Sequence, residues 1–199
     1  MAEERFKISR IEAISDGVFA IAMTLLVLEL KLPELEVPTP PAVFHAALLD
    51  QLPHLISWII SFAVLCRLWI TQHALLKGEA DESRVFALVN FAFLGSISFI
   101  PFPASLIGEH GDQPLSVVIF SVAIVFSGLM LALLYFVRKQ TFAWHNLNPA
   151  ARNIIVVLPI VGAVSSGLAF WVNPGFGIAI WCIVPFIGFS LKKKSRKKA

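Results

Sequence analysis

Six long apolar stretches alternate with short polar segments along this chain of 199 residues. The hydrocarbon core of a bilayer is about 30 Å thick, so a helix that rises about 1.5 Å per residue needs about 20 apolar residues to cross it. The pattern therefore predicts an all-α integral membrane protein with six transmembrane helices. The predicted spans are residues 8–32, 52–76, 85–107, 115–137, 153–172 and 175–191.

The connections between the predicted spans are rich in proline and glycine. Pro38, Pro40 and Pro41 lie between the first and second spans, where they prevent the first helix from continuing. The sequence Asn-Pro-Gly at 173–175 predicts a tight turn between the fifth and sixth spans. No connection is long enough to hold a second domain.

Composition supports a membrane protein and excludes two other classes. Hydrophobic residues make up 57% of the chain, charged residues make up 15%, and the mean hydropathy is +0.80. Soluble domains have about 45–50% apolar and about 25% charged residues, so the chain is neither a soluble monomer nor a disordered polymer. Cys66 and Cys182 lie within apolar stretches and predict neither a disulfide nor a zinc site.

The distribution of Lys and Arg predicts the orientation of the chain, because these residues concentrate in cytoplasmic loops. All but Lys31 and Arg67 of the 16 Lys and Arg residues lie before or at the start of the first span, after the second, after the fourth or after the sixth. The pattern thus places both termini in the cytoplasm. Residues 1–191 are expected to form a single six-span unit. The basic tail at 192–199 is expected to contact anionic lipid headgroups, and no nucleic-acid partner is expected.

The first span differs from the others because polar residues occur within its apolar run. Residues at spacings of four and three fall on one stripe of a helix, and Ser15 and Asp16 lie beside that stripe. The members of the stripe are Arg10, Ile14, Gly17, Ile21, Thr24 and Leu28. The simplest interpretation of such a stripe is a packing seam between two helices.

A second polar cluster lies near the predicted cytoplasmic end of the second span. Trp69 and His73 are four residues apart and share a helix face, and Arg67 precedes them. Because this cluster lies at the same membrane depth as Asp16, we expect hydrogen bonds between the two helices. The expected helix-lock network comprises Arg10, Ser15, Asp16, Arg67, Trp69, His73 and Asn90. These groups either only tie helices together or also hold a functional helix in place.

The first span resembles the signature of the transmembrane protein 175 family, which comprises potassium channels of endolysosomes and prokaryotes. The signature is an Arg, three residues and then Phe-Ser-Asp, and this chain has Arg10, Ile14, Ser15 and Asp16 at those positions. The pair Trp69 and His73 also looks like that family. The resemblance extends over all six spans, with the first-helix motif as its most specific part.

The resemblance implies a homotetrameric, potassium-selective cation channel in the cell membrane of a prokaryote. Weak selectivity for potassium and a leak of protons are both compatible with the resemblance. In that family the first helices surround a central pore. Carried over to this chain, the hydrophobic constriction falls at Ile21, with further layers at Leu25 and Leu28. Thr24 then supplies a ring of hydroxyl groups near which K⁺ is held transiently. No cofactor other than the permeant K⁺ is implied.

One motif looks like the filter of ordinary potassium channels. The sequence Pro-Gly-Phe-Gly at 174–177 matches the end of that filter, but Asn173 and Pro174 occupy the positions of its Thr and Val. There is also no room for a pore helix between the fifth and sixth spans. We interpret this sequence as a turn and expect no pore loop.

Three functional classes compete with a channel: an enzyme, a secondary transporter and a passive membrane scaffold, which the polar network would also fit. An enzyme is not expected, because the central parts of spans two to six contain no Asp, Glu, His or Lys and no metal-ligand pair is present. A secondary transporter of a small solute or ion is the alternative. The prolines at Pro101, Pro103, Pro159 and Pro185 are compatible with its broken helices, whereas midplane charges are missing.

Overall fold

The structure is a computed structural model that describes residues 6–31, 34–77, 82–139 and 149–186. The regular elements of the described chain are helices, apart from one isolated bridge between Phe6 and Glu82. The α-helices are α1 (Ile8–Leu25), α2 (Pro41–Asp50), α3 (Leu52–Leu76), α4 (Arg84–Phe99), α5 (Pro101–His110), α6 (Pro114–Lys139), α7 (Pro149–Trp171) and α8 (Pro174–Ala179). Short 3₁₀ segments follow α1 at Leu26–Glu29 and α8 at Ile180–Phe186.

The predicted all-α class is confirmed. The described ranges contain eight α-helices, whereas the sequence predicted one helix for each of six spans. Four stretches of the described chain are long and apolar enough to cross a membrane. They are Ile8–Glu29, Pro41–Leu76, Arg84–His110 and Pro114–Arg138, and two shorter apolar helices cover Ile155–Trp171 and Pro174–Val184. The expected tail at 192–199 lies outside the described residues.

Proline accounts for two differences from the predicted elements. The segment before the second span contains α2, which begins at Pro41 because a proline in the first helical turn loses no hydrogen bond. The third predicted span is divided at Ile100, since Pro101 ends α4 and begins α5.

The Pro-Gly-Phe-Gly sequence is the first turn of a helix, so the prediction of a turn at 174–177 is wrong. The Asn173 side chain accepts a hydrogen bond from the Gly175 N–H at 2.8 Å and caps α8, which starts at Pro174. The connection between α7 and α8 consists of Val172 and Asn173.

Two packed units meet along α6. α1 packs against α3 and α4, and its buried Phe19 ring lies 5.9 Å from the ring of Phe93. α6 packs against α4 on one side and against α7 on the other. On that second side Ser121, Ser165 and Trp181 form a buried hydrogen-bonded cluster with the Gly177 carbonyl. Among the described residues, no helix packs against the other face of α1.

Candidate functional site

The helix α1 has one buried and one exposed face. Its buried residues recur at spacings of three and four, as expected for one side of a helix. They are Ile8, Ile11, Ser15, Phe19 and Ala22, and Leu26 continues the row into the 3₁₀ segment. On the opposite side the exposed fractions are 46% for Ile14, 61% for Ile21, 41% for Leu25 and 58% for Leu28. The predicted stripe therefore lies on the exposed face.

This stripe is not a packing seam between helices of the same chain. Arg10, Gly17 and Thr24 are also exposed. A Cβ atom added at Gly17 would meet no atom within 4 Å. Within the described chain no helix packs against this stripe, so a packing seam here would need a second copy, and the stripe is otherwise free to face lipid or an ion route.

Thr24 is the one hydroxyl group on this stripe. Its Oγ1 donates to the carbonyls of Ala20 and Ile21, both at 2.9 Å, within its own helix. Since the hydroxyl has a single hydrogen, this back-bonding leaves the oxygen to act as an acceptor toward the exposed side. An acceptor oxygen between layers of aliphatic side chains is suited to a partly dehydrated cation.

A closed triangle of hydrogen bonds fixes the buried face of α1. Gln72 of α3 donates from Nε2 to the Ser15 hydroxyl at 3.1 Å and to Oδ1 of Asn90 at 2.7 Å. Asn90 of α4 donates from Nδ2 to the same Ser15 hydroxyl at 3.2 Å, and Ser15 donates to the Ile11 carbonyl at 2.7 Å. All three side chains are about 1% exposed. The triangle joins α1, α3 and α4 at one point inside the protein.

A second set of contacts joins α1 to α3 beside the triangle. The Trp69 indole donates from Nε1 to Oδ1 of Asp16 at 2.8 Å. The Trp69 ring stacks on the His73 ring at 5.4 Å, and Nδ1 of His73 lies 3.2 Å from Oε1 of Glu12 without hydrogen-bond alignment. The structure thus brings together Ser15, Asp16, Trp69, His73 and Asn90 of the expected network.

The structure does not bring Arg10 and Arg67 into this network, and the expectation that the lock satisfies every polar group is wrong. Arg10 is exposed and its side chain makes no hydrogen bond or ion pair with a described residue, while the Nη2 atom of Arg67 is buried without a partner. Helical geometry explains both cases. Arg67 precedes Trp69 by two residues and Arg10 precedes Asp16 by six, so each arginine points away from that contact.

Sequence reasoning missed two participants, Gln72 and Glu12. Gln72 lies one residue before His73 in a helix whose buried residues include Leu65, Leu68 and Leu75. A long polar side chain in phase with buried apolar positions needs a buried partner, and that phase was the available signal. Glu12 is partly exposed and gave no comparable signal.

The comparisons with known proteins match the part of the chain that contains this site. The family model described as the endosomal/lysosomal potassium channel TMEM175 matches residues 10–101, which contain the complete triangle and all of α1 except its first two residues. A potassium channel of Chamaesiphon minutus is 36% identical over 132 residues, and one of Streptomyces collinus is 32% identical over 136 residues. These matches cover 66% and 68% of this chain. The chain spans 63% of the length of each relative.

More distant relatives and a solved structure extend the likeness. The chicken endosomal/lysosomal proton channel TMEM175 is 34% identical over 111 residues, which are 52% of this chain and 22% of the relative. The crystal structure of a lysosomal potassium-selective channel TMEM175 homologue from Chamaesiphon minutus matches with a TM-score of 0.76 and 22% identity. That match covers 92% of this chain and 97% of the solved one, and it shows a shared fold.

The family's description is that of an ion channel, which confirms the prediction that the protein is not an enzyme. The first-helix motif lies at the start of the matched segment, where Arg10, Ser15 and Asp16 carry it. On the family-model match, the bacterial relatives and the shared fold, this chain is similar to the TMEM175 family in sequence and in fold.

Proposed function

We propose that this chain is one subunit of a homotetrameric, potassium-selective cation channel in the cell membrane of a prokaryote, and that α1 lines its pore. The observation that supports this proposal is the exposed face of α1. Ile21 on this face is 61% exposed, while hydrogen bonds to Ser15 fix the opposite face of the helix. The names of the bacterial relatives support potassium as the permeant ion.

Three aliphatic layers on this face account for control of permeation. Ile21, Leu25 and Leu28 follow one another at intervals of four and three residues, so their layers are about 6 and 4.5 Å apart along the axis. A ring of such side chains that is narrower than a hydrated ion excludes water and closes the route by dewetting. Thr24 lies between these layers and offers an oxygen acceptor where K⁺ is held transiently.

The network around Ser15 has a mechanical role in this proposal. A hydrophobic constriction depends on its radius, so the helix that forms it must keep a fixed rotation and position. The triangle of Ser15, Gln72 and Asn90 holds that rotation from the buried face. Asp16 and Trp69 add a contact beside it.

The proposal includes the topology that the charge distribution predicts. Residues 1–191 would cross the membrane six times with both termini in the cytoplasm, and the helices at Ile155–Trp171 and Pro174–Val184 would supply the fifth and sixth spans. The partners are then other copies of the chain and the lipids. The basic tail at 192–199 would contact anionic headgroups.

Planar-bilayer recording of the purified chain tests this function. A channel gives unitary current steps and, in a potassium gradient with sodium on the opposite side, a reversal potential near that of potassium. Native mass spectrometry of the same sample should give four subunits. The break at Pro101 favours a transporter as the second candidate, and saturable flux without unitary steps would replace the channel by that alternative.

A further inference from the structure

Phe6 lies two positions before the start of α1 and is held by the backbone of Glu82. The Phe6 N–H donates to the Glu82 carbonyl and the Glu82 N–H donates to the Phe6 carbonyl, both at 2.9 Å. The two residues form an isolated antiparallel bridge. Since α1 begins at Ile8 and α4 begins at Arg84, this bridge attaches the beginning of one helix to the beginning of the other.

The Glu82 side chain extends this attachment to α6. Its Oε1 atom lies 2.9 Å from Nε of Arg138, and the Glu82 and Arg138 side chains are only 11% and 15% exposed. Arg138 also donates from Nη2 to the Lys77 carbonyl at 3.4 Å, and its guanidinium lies 6.0 Å from the centre of the Phe86 ring. We call Phe6, Glu82 and Arg138 the N-terminal tie.

Burial decides how firmly an ion pair holds two elements together. Water screens an exposed pair, so its loss changes little. Removing one partner of a buried pair leaves the other charge away from water without a counter-charge, which is far more disruptive. The pair of His73 and Glu12 is 37% and 34% exposed and provides a matched comparison in the same molecule. The pair of Glu82 and Arg138 is therefore the firmer attachment.

We propose that Glu82 is a positioning residue for the ion route and that Glu82 fixes the N-terminal end of α1 through its contacts with Phe6 and Arg138. This inference rests on the pore role of α1 proposed above. α1 is one uninterrupted helix from its first residue to Leu25, so a displacement of its beginning is transmitted to the layer at Ile21. With the tie intact, the constriction keeps its radius, and with the tie broken, the constriction widens.

Single-channel recording of Glu82→Gln tests the effect on the ion route. This substitution keeps both backbone hydrogen bonds to Phe6 and removes the charge that Arg138 faces. We expect the leak to rise severalfold and the preference for potassium over sodium to fall, while the control Glu109→Gln, at an exposed carboxylate near the end of α5, matches the parent. The double variant Glu82→Arg with Arg138→Glu restores a pair of opposite charges. Its leak and its preference for potassium over sodium should therefore return toward those of the parent. Parent-like currents in Glu82→Gln would overturn the proposal.

A distance measurement tests the tie without reference to conduction. Spin labels at Lys7→Cys and Lys77→Cys, in a background of Cys66→Ala and Cys182→Ala and diluted with unlabelled chains, report the position of the start of α1. The expected result is a narrow distance distribution in the parent and in Glu109→Gln and a broad one in Glu82→Gln. An unbroadened distribution refutes the tie, whereas absent unitary currents in the parent refute the proposed function.

A milder variant covers the case in which Glu82→Gln does not fold. Arg138→Lys keeps the positive charge beside Glu82 and removes the guanidinium contacts to Lys77 and Phe86. We expect it to broaden the same distance distribution to a smaller extent. A distribution as narrow as that of the parent would again contradict the tie.

Discussion

Asn90 donates a hydrogen bond to the hydroxyl of Ser15, a residue 75 positions earlier in the chain, at a distance of 3.2 Å. This bond and the bond from Gln72 to the same hydroxyl fix the side of α1 that is turned inward. Because the inward side is fixed, the opposite stripe with Ile21 is presented outward. Polar contacts on one face of the helix thus determine which residues the other face presents outward.

The triangle should be a main source of stability for α1. In Asn90→Ala, the Gln72 amide loses an acceptor and the Ser15 hydroxyl loses a donor, and both stay buried. We expect the free energy of unfolding to fall by about 1–3 kcal/mol, the cost of leaving such groups unpaired. Thermal unfolding of the purified protein measures this loss. Thr24→Ala is the control because its hydroxyl bonds only within its own helix, and equal losses in both variants would contradict the role of the triangle.

The two faces of α1 should respond differently to truncation. Phe19 is 1% exposed and packs against Phe93, so Phe19→Ala should cost about 3–5 kcal/mol of stability. Ile21 is exposed, so Ile21→Ala should leave the melting temperature of the subunit near that of the parent. Thermal unfolding in detergent compares the two variants. A larger loss for Ile21→Ala than for Phe19→Ala would show that the exposed face is packed.

Shortening the aliphatic layers should raise the leak. In Ile21→Ala and Leu25→Ala the constriction becomes wider and wets more easily, so we expect larger currents at the same protein density. Val122→Ala on α6 is the matched control because Val122 is 60% exposed and Ile21 is 61% exposed. Planar-bilayer recording measures the currents. An equal rise in the Val122→Ala control would remove the special role of α1.

The Thr24 oxygen should contribute to ion selectivity. Thr24→Ala removes the acceptor, so we expect the permeability ratio of potassium to sodium to fall. Thr24→Ser keeps the hydroxyl and should retain most of the ratio. Reversal potentials under potassium and sodium gradients give the ratio for each variant. If Thr24→Ala and the parent reverse at the same potential, the oxygen has no part in selectivity.

The sequence predicted which residues form the stripe of α1, because helical spacing determines which residues share a face. It also placed Ser15, Asp16, Trp69 and Asn90 in one network, because polar groups in apolar spans need partners, and the structure adds the pairs Asp16 with Trp69 and Ser15 with Asn90. It assigned Arg67 to this network wrongly, since membrane depth was considered and rotation around α3 was not. The direction in which Arg67 points around α3 follows from the same helical spacing, so it could have been predicted from the sequence.

Other features depended on packing between distant segments. The bridge of Phe6 with Glu82 and the ion pair of Glu82 with Arg138 join residues from separate helix ends, and no periodicity indicates them. The break before Pro101 and the start of α2 at Pro41 show proline acting both as a helix terminator and as a first helical residue. Which role a proline takes depends on the neighbouring elements, and the sequence pattern alone left this open.

Charged thiol reagents offer the most direct measurement of whether α1 lines the ion route. In a background of Cys66→Ala and Cys182→Ala, the reagent is applied to Ile21→Cys channels during recording, with Val122→Cys as a control of equal exposure. Our account predicts that modification blocks the current through Ile21→Cys and leaves Val122→Cys unchanged. Complete labelling of Ile21→Cys, verified by mass spectrometry, with undiminished current would contradict the account.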